Sequence, residues 1–373
     1  MTQPPTETPA DRTPAPTPPP APSLTTDILG EPWVARRIAV TPDEAAAPGA
    51  DHAVLVHQRG AVPPAGGAPR HERAVLYLHG RNDFFFQTHL ADALLTAGYE
   101  FYALDLRACG RAGVDHPSPH DVRDLRVHDE EITEALRIIR TEHAHSGDVV
   151  LNGHSTGGLL AAIWAADHPG SVSALVLNSP WLQLNSSGLA RSYGSAYVDL
   201  ISRRDPEKII DDPAQARARK RARRAADAAT AVPVDADPGP IGEDLYVRSL
   251  HRHWGGEWDW DLRLKPSPSF PVRAGFLAGI RRLQREVRHG LGLRIPVLVC
   301  CSTTGGPGTD AREARRSDVV LSVEQIVERA GFLGSDVTIR QIPNGVHDLA
   351  LSPSPAREEY LTTVTEWLTA RLG

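Results

Sequence analysis

Cysteine, methionine and aromatic side chains are scarce in this chain: three Cys, one Met and 6% Phe, Trp and Tyr among 373 residues. Three is an odd number, and Cys300 and Cys301 are adjacent within an apolar run, which excludes a disulfide framework. These thiols, with Cys109, read as small buried hydrophobes, and a reducing, cytoplasmic setting is expected. No apolar run approaches the ~18–20 residues needed to span a bilayer, so stable membrane insertion is not expected. The first residues show neither a basic stretch nor an apolar core after it, so no secretory leader is expected. A dominant charge is also missing: 40 Lys and Arg against 46 Asp and Glu leave a formal net charge of −6. That balance gives no field to gather nucleic acid or anionic lipid, and small-molecule chemistry is what remains.

Proline, by contrast, is plentiful, and residues 1–25 are dominated by Pro, Thr and Ala with no apolar periodicity. Such a tail is expected to be disordered or polyproline-like. Beyond it, strand-like runs at 53–56, 74–78, 101–106, 149–151, 174–177, 297–300 and 337–342 alternate with helix-like stretches at 88–97, 121–144, 159–167, 323–330 and 355–372. Alternating strand and helix with short connections predicts a mostly parallel sheet covered on both faces. The alternation lapses between 177 and 297, too long a gap for a simple crossover, so residues 183–290 read as an inserted cap between core segments 26–182 and 291–373. The cap holds a basic run, 217–224, bracketed by acidic residues, a pattern that reads as a solvated helix rather than a nucleic-acid site.

Gly153-His154-Ser155-Thr156-Gly157 carries the chemistry. This G-x-S-x-G stretch follows the apolar run Val149-Val150-Leu151 and opens an Ala-rich helical segment, the strand, sharp turn and helix that expose a serine hydroxyl above a sheet edge. A serine is a poor nucleophile until a histidine takes its proton and a carboxylate fixes the tautomer of that histidine. His347, in Gly345-Val346-His347-Asp348, lies just past the last strand-like run and ahead of the final helix. Two acids compete for the third role in the loop after 297–300. Asp318 runs into Val319-Val320-Leu321 as a docked acid should, and is preferred; Asp310 lies near Gly305, Gly306 and Gly308 in a polar setting. Donors for a developing oxyanion are expected at the amides of Thr156, after the nucleophile, and Arg81, in His79-Gly80-Arg81-Asn82. His79 reads as a brace for that loop rather than a ligand.

The set Leu78-His79-Gly80, Asp105-Leu106-Arg107, Gly153 to Gly158, Asp318-Val319-Val320-Leu321 and Gly345 to Asp348 resembles the α/β-hydrolase superfamily, most closely its lysophospholipase, monoglyceride lipase and serine aminopeptidase S33-like branch. The resemblance covers about residues 30–182 and 290–373. It implies an α/β-hydrolase fold with an eight-stranded, mostly parallel sheet flanked by helices and a cap inserted after the sixth strand. It also implies acyl transfer through an acyl-enzyme, with Ser155 as nucleophile, Asp318 as acid, His347 as base, and Arg81 and Thr156 amides as the oxyanion hole. Two stretches depart from the family pattern: Ala108-Cys109-Gly110-Arg111-Ala112, where a small-residue turn is usual, and the long 301–318 segment that keeps Asp310 in contention.

The expected substrate is a small-molecule carboxylic ester, with Trp181, Trp254 and Trp258 as candidates to line its pocket, although aromatics also serve simply to pack a cap onto a core. Arg191, Arg203 and Arg204 offer a weak signal for a phosphate head group. An aminopeptidase is the alternative and needs a carboxylate for the substrate ammonium, with Glu257, Asp259 and Asp261 available. A non-catalytic binding protein of the same fold is a third possibility, disfavoured by the intact Ser, Asp, His order. No cofactor is expected: Gly305-Gly306-Pro307-Gly308 lacks the Lys-Ser/Thr of a phosphate loop, and His251 and His253 find no third ligand at metal spacing.

Overall fold

The computed structural model describes residues 24–63, 67–184, 195–210, 220, 244–306 and 310–373. The Pro-rich stretch to residue 23, Arg191, and the basic run apart from the exposed Lys220 lie outside the described residues. The strands are β1 (Thr25–Thr26), β2 (Trp33–Ala39), β3 (His52–Gln58), β4 (Arg73–Leu78), β5 (Tyr99–Asp105), β6 (Val149–His154), β7 (Ala174–Asn178), β8 (Val297–Ser302) and β9 (Val337–Ile342). They form a single sheet in the order β1-β2-β3-β5-β4-β6-β7-β8-β9. The six strands from β4 onward pair parallel with one another, and β1, β2 and β3 add an antiparallel edge.

The expected eight strands become nine because Thr25–Thr26 adds a two-residue edge strand. β2 also went unseen in the sequence, since Arg36 and Arg37 interrupt its apolar pattern; Arg36 is nonetheless buried, with its guanidinium on Glu142. The insertion therefore follows β7, which is the sixth strand when the two-residue β1 is set aside and the remaining eight are counted from β2.

Residues alternate across the sheet with the period of two that a strand imposes. Leu76, Leu151, Leu175 and Val299 face one side, where they pack with Leu136 of α3 (His128–Thr141), Leu159 of α4 (Thr156–Asp167) and Ile326 on a later helix. Val75, Val150, Val176 and Leu298 face the other, against Leu90 and Leu94 of α1 (Thr88–Thr96) and Tyr360 and Val364 of the C-terminal helix. Burial on both faces is why these strands read as near-continuous apolar runs. The remaining α-helices among the described residues are α2 (Gly110–Gly113), α5 (Ser195–Arg204), α6 (Leu245–Leu250), α7 (Ala274–His289), α8 (Ala311–Ala314), α9 (Val323–Ala330) and α10 (Ala356–Leu372).

The insert between β7 and β8 contributes α5, α6 and α7. Phe276, Leu277 and Ile280 of α7 belong to the same apolar cluster as α4, and Val247, Leu250, Trp260 and Leu264 pack with Phe84, Phe86, Val346 and Leu351 from the loops after β4 and β9. The insert thus sits over the C-terminal ends of the strands. There the chain order reverses: β5 lies on one side of β4 and β6 on the other, the place where open α/β sheets leave a crevice.

Candidate active site

Ser155 sits in this crevice between β6 and α4 with φ 53° and ψ −114°, a left-handed backbone that a serine adopts only when its surroundings enforce it. Glycine on either side makes the turn possible. A Cβ on Gly153 would lie 2.4 Å from the Gly157 carbonyl oxygen, and one on Gly157 would lie 2.3 Å from that of Leu78. Hydrogen bonds then pin the turn: the Ser155 amide donates to the Asn178 carbonyl at 2.9 Å, and the Ser155 carbonyl accepts from Gly158, Leu159 and Trp181 amides.

From the loop after β9, His347 places Nε2 3.0 Å from Ser155 Oγ, and its Nδ1 lies 2.9 Å from Asp318 Oδ2. The other Asp318 oxygen accepts from the Val320 and Leu321 amides, both at 2.8 Å, and all three residues are buried. Asp310 is elsewhere: it is exposed and caps α8 by accepting from the Arg312 and Glu313 amides. Gly80 closes the crevice opposite, where a Cβ would come within 3.1 Å of Ser155 Cβ, and Arg81 and Thr156 follow on either side of that approach. His79 braces the loop, as expected: Nδ1 lies 2.7 Å from the Gly80 carbonyl, and Nε2 accepts from the Leu106 amide at 3.1 Å. Burial holds its pKa below the ordinary histidine range.

A buried charged chain that the sequence did not disclose runs beneath the histidine. Lys265 Nζ, from the insert, donates to Asp83 Oδ1 at 2.7 Å, and Asp83 Oδ2 lies 3.2 Å from Nδ1 of His154, the residue before the serine. Phe86, Trp260 and Tyr246 surround the Lys265 ammonium at 5.1–6.0 Å. Asp348 lies close by, accepting from Asn178 Nδ2 at 2.7 Å and Gln87 Nε2 at 2.9 Å. Burial works against a charged His154, but the Asp348 and Asp83 carboxylates outweigh it and raise its pKa. Asp83 is lowered despite its own burial, by Lys265 and His154. Asp83, His154 and Asp348 could together offer three ligand atoms to a cation, yet Asp83 is already engaged by the Lys265 ammonium, so the donor set fits a charge network better than a metal.

The aromatic candidates divide. Trp181 is next to Ser155, donating its amide to the Ser155 carbonyl, with its ring 6.5 Å from that of Phe276. Trp258 instead donates Nε1 to the Leu351 carbonyl at 2.7 Å, stacks on His89 and carries Arg357 on its face. Trp254 packs on His251, His253 and Arg248. Trp258 therefore holds the insert to the core, Trp254 packs within the insert, and neither lines the cavity beside Ser155. That cavity is bounded among others by Gly80, Arg81, His120, Thr156, Leu160 and Phe276, a set in which the sequence had marked the loop and elbow members and Phe276 but neither His120 nor Leu160. The three carboxylates available to an aminopeptidase are taken: Glu257 is on Arg357 at 2.7 Å, Asp261 on Arg263 at 2.6 Å, and Asp259 faces His251 and Arg252. Arg203 and Arg204 are exposed at the end of α5.

Comparison with known proteins agrees with the architecture. The profile of the serine aminopeptidase S33 family matches residues 69–234. A monoacylglycerol lipase of Mycolicibacterium smegmatis is 36% identical over 92 residues, which is 25% of this chain and 31% of that protein, so the match spans under a third of the relative. Among solved structures, a soluble variant of the Saccharomyces cerevisiae monoglyceride lipase superposes with a TM-score of 0.58 at 14% identity, over 90% of this chain and 95% of that one. A thermostable carboxyl esterase from Bacillus coagulans gives 0.60 at 14% identity, over 91% and 99%. At such identities the structural likeness speaks for the fold. With the sheet order, the strained serine elbow and these likenesses together, the chain has the α/β-hydrolase fold and resembles the monoglyceride lipase and serine aminopeptidase S33 branch of that superfamily.

Proposed function

We propose that the protein is a serine hydrolase that cleaves carboxylic esters through an acyl-enzyme on Ser155. The observation that carries this reading is the unbroken relay from Ser155 Oγ to His347 at 3.0 Å and from His347 to Asp318 at 2.9 Å, mounted on a backbone turn that thrusts the serine into the crevice. His347 takes the hydroxyl proton as Oγ bonds to the ester carbonyl carbon, while Asp318 fixes the Nδ1–H tautomer and balances the imidazolium. The amides of Arg81 and Thr156 hold the oxyanion. Collapse breaks the bond to the alcohol, which leaves with the proton from His347; water then repeats the attack, releases the acid and restores Ser155. Residues 183–290 serve as the cap over this site. Likeness to a monoacylglycerol lipase and a carboxyl esterase supports an ester over a peptide substrate, and so does the engagement of Glu257, Asp259 and Asp261 with basic partners.

Turnover of p-nitrophenyl esters from acetate to palmitate by the wild type and by Ser155→Ala, both checked for folding by circular dichroism, tests the proposal. Ser155→Ala is expected to lose kcat by roughly 10⁴-fold or more and to lose labelling by a fluorophosphonate. A folded wild type that hydrolyses no ester and takes up no fluorophosphonate overturns the reading in favour of a binding protein of this fold.

A further inference from the structure

Two buried polar atoms on residues of one cavity, His120 Nε2 and Thr156 Oγ1, the latter on the residue after Ser155, have no hydrogen-bond partner among the described residues. Both side chains belong to residues more than nine-tenths buried, and both residues line the same cavity as Gly80, Arg81, Leu160 and Phe276. Buried polar atoms in folded proteins are nearly always paired, with protein groups, ordered water or a ligand, and two that line one crevice beside a nucleophile are placed to receive a ligand's polar group. The cavity is also small, about 20 Å³, little more than the space that one water-sized group occupies.

Its lining holds Gly80 and the residues of the proposed oxyanion donors, Arg81 and Thr156, rather than Ser155 or His347 themselves, and this points to the acyl side of the reaction. A Cβ placed on Gly80 would lie 3.1 Å from Ser155 Cβ, and the amides of Arg81 and Thr156 are the donors proposed for the oxyanion. A carbonyl bonded to Ser155 with its oxygen on those amides directs the adjoining carbons against the side chains of the same loop and helix. The chemistry of the two open atoms narrows what those carbons carry. Thr156 Oγ1 both donates and accepts, and Nε2 of a neutral imidazole does one or the other according to tautomer. Burial, reinforced by Arg81 and His79, keeps His120 neutral. The positive charge of Arg81 is directed to the Phe270 and Pro271 carbonyls, with its guanidinium over the Phe276 ring, which favours an uncharged group over an anion in the remaining space.

We propose that the acyl group taken by this site is short and bears a hydroxyl on the carbon next to the ester carbonyl or on the one after it, seated between Thr156 and His120. The inference rests on Ser155 being the nucleophile, and it replaces an expectation of a plain alkyl chain with a hydroxyacyl one. A hydroxyl there donates to one open atom and accepts from the other. An alkyl chain of equal length leaves both unpaired, and a site built to hydrogen-bond a substituent discriminates strongly against the analogue that lacks it.

The experiment compares kcat/KM for p-nitrophenyl 3-hydroxybutyrate, butyrate, octanoate and the succinate half-ester, with fluorophosphonate labelling of Ser155 measured on the same preparation. The 3-hydroxybutyrate is expected to exceed butyrate by roughly 10-fold or more, with octanoate lowest. In Thr156→Val and in His120→Asn, the latter chosen because asparagine tolerates the φ of 61° at that position, the ratio of the two four-carbon esters is expected to fall to within about threefold. Equal or better turnover of butyrate by a wild type that labels normally overturns the hydroxyacyl assignment and leaves the esterase reading standing. A preference for octanoate does the same, and a preference for the succinate half-ester transfers the pocket to an anion on Arg81. A folded wild type that is neither labelled nor active on any of the four removes both readings.

Discussion

Asp318 and Asp310 occupy the same loop after β8 and meet opposite environments, so they make the sharpest test at the scale of single residues. Asp318 is fully buried, gives one oxygen to His347 and the other to two amides, and therefore has no freedom to turn away. An amide in its place presents the wrong donor to Nδ1 and favours the tautomer that cannot accept the serine proton. Asp318→Asn is expected to reduce kcat by roughly 10³–10⁴-fold with KM little changed. Asp310 only caps a four-residue helix in solvent, and asparagine caps a helix about as well as aspartate, so Asp310→Asn should leave kcat/KM within about twofold. Steady-state kinetics on both variants decides the matter, and the reverse pattern would make Asp310 the triad acid. The docking of Asp318 beside His347 was legible because Val319-Val320-Leu321 follow it and an acid so placed has to dock. His120 was not legible: a histidine among 16, with no apolar pattern around it, becomes part of the site only through the fold.

At the scale of elements, three consecutive residues of the loop after β4 attach the insert to the core. Arg81 donates to the Phe270 and Pro271 carbonyls, Asn82 accepts from the Phe270 amide and donates to Ser269, and Asp83 holds Lys265. The loop proposed to carry the oxyanion donor is thus the one the insert is fastened to, and Asp83 passes the contact on to His154 beside the nucleophile. Sequence reading recovered most of the strands and helices, since buried parallel strands are apolar throughout and α9 spans the same residues the periodicity marks. It could not recover this attachment, because Lys265 and Asp83 are 182 residues apart and a lysine in a loop reads as solvated until its partner is known. Breaking a buried ion pair from one side leaves a charge without compensation, so Lys265→Met is expected to destabilise the protein by about 3–5 kcal/mol. Lys265→Met with Asp83→Asn removes both charges and should recover part of that loss, which urea denaturation of the two single variants and the double variant measures as a coupling energy. Additive losses would show that Lys265 acts by packing among Phe86, Trp260 and Tyr246 alone.

Over the whole molecule the histidines set the response to acid. Burial lowers the pKa of seven among the described residues, His57, His79, His89, His120, His143, His145 and His251. His143 is brought down to about 3 by burial and by neighbouring His57 and His145, in a cluster where the Tyr102 hydroxyl lies 2.7 Å from both His143 and His145, and His120 is lowered well below the ordinary value by burial. For each of these the unfolded chain takes up a proton near the ordinary value of 6.5 while the native state stays neutral. Stability is therefore full above about pH 6.5 and is lost as the pH falls toward their lowered values. His154 has the opposite sign: its raised pKa gives stability that is present below 6.5 and disappears as the pH rises through the folded value. One group against seven does not reverse the trend. The lowered carboxylates, Asp83 and Glu131 among the buried ones, add to acid loss only as the pH drops below their ordinary values of 3.8 and 4.5. The interval from about pH 6.5 to 4.5 therefore reports chiefly on the histidines, with buried Asp244, whose carboxyl is pushed above 3.8 by burial, working in the opposite direction. The melting temperature is expected to fall by roughly 5 °C or more between pH 7.5 and pH 5, with net proton uptake on unfolding at pH 5.5. Calorimetry in two buffers of different ionisation enthalpy measures both quantities, and a midpoint that stays level across that interval would mean the buried histidines are solvated in the native protein.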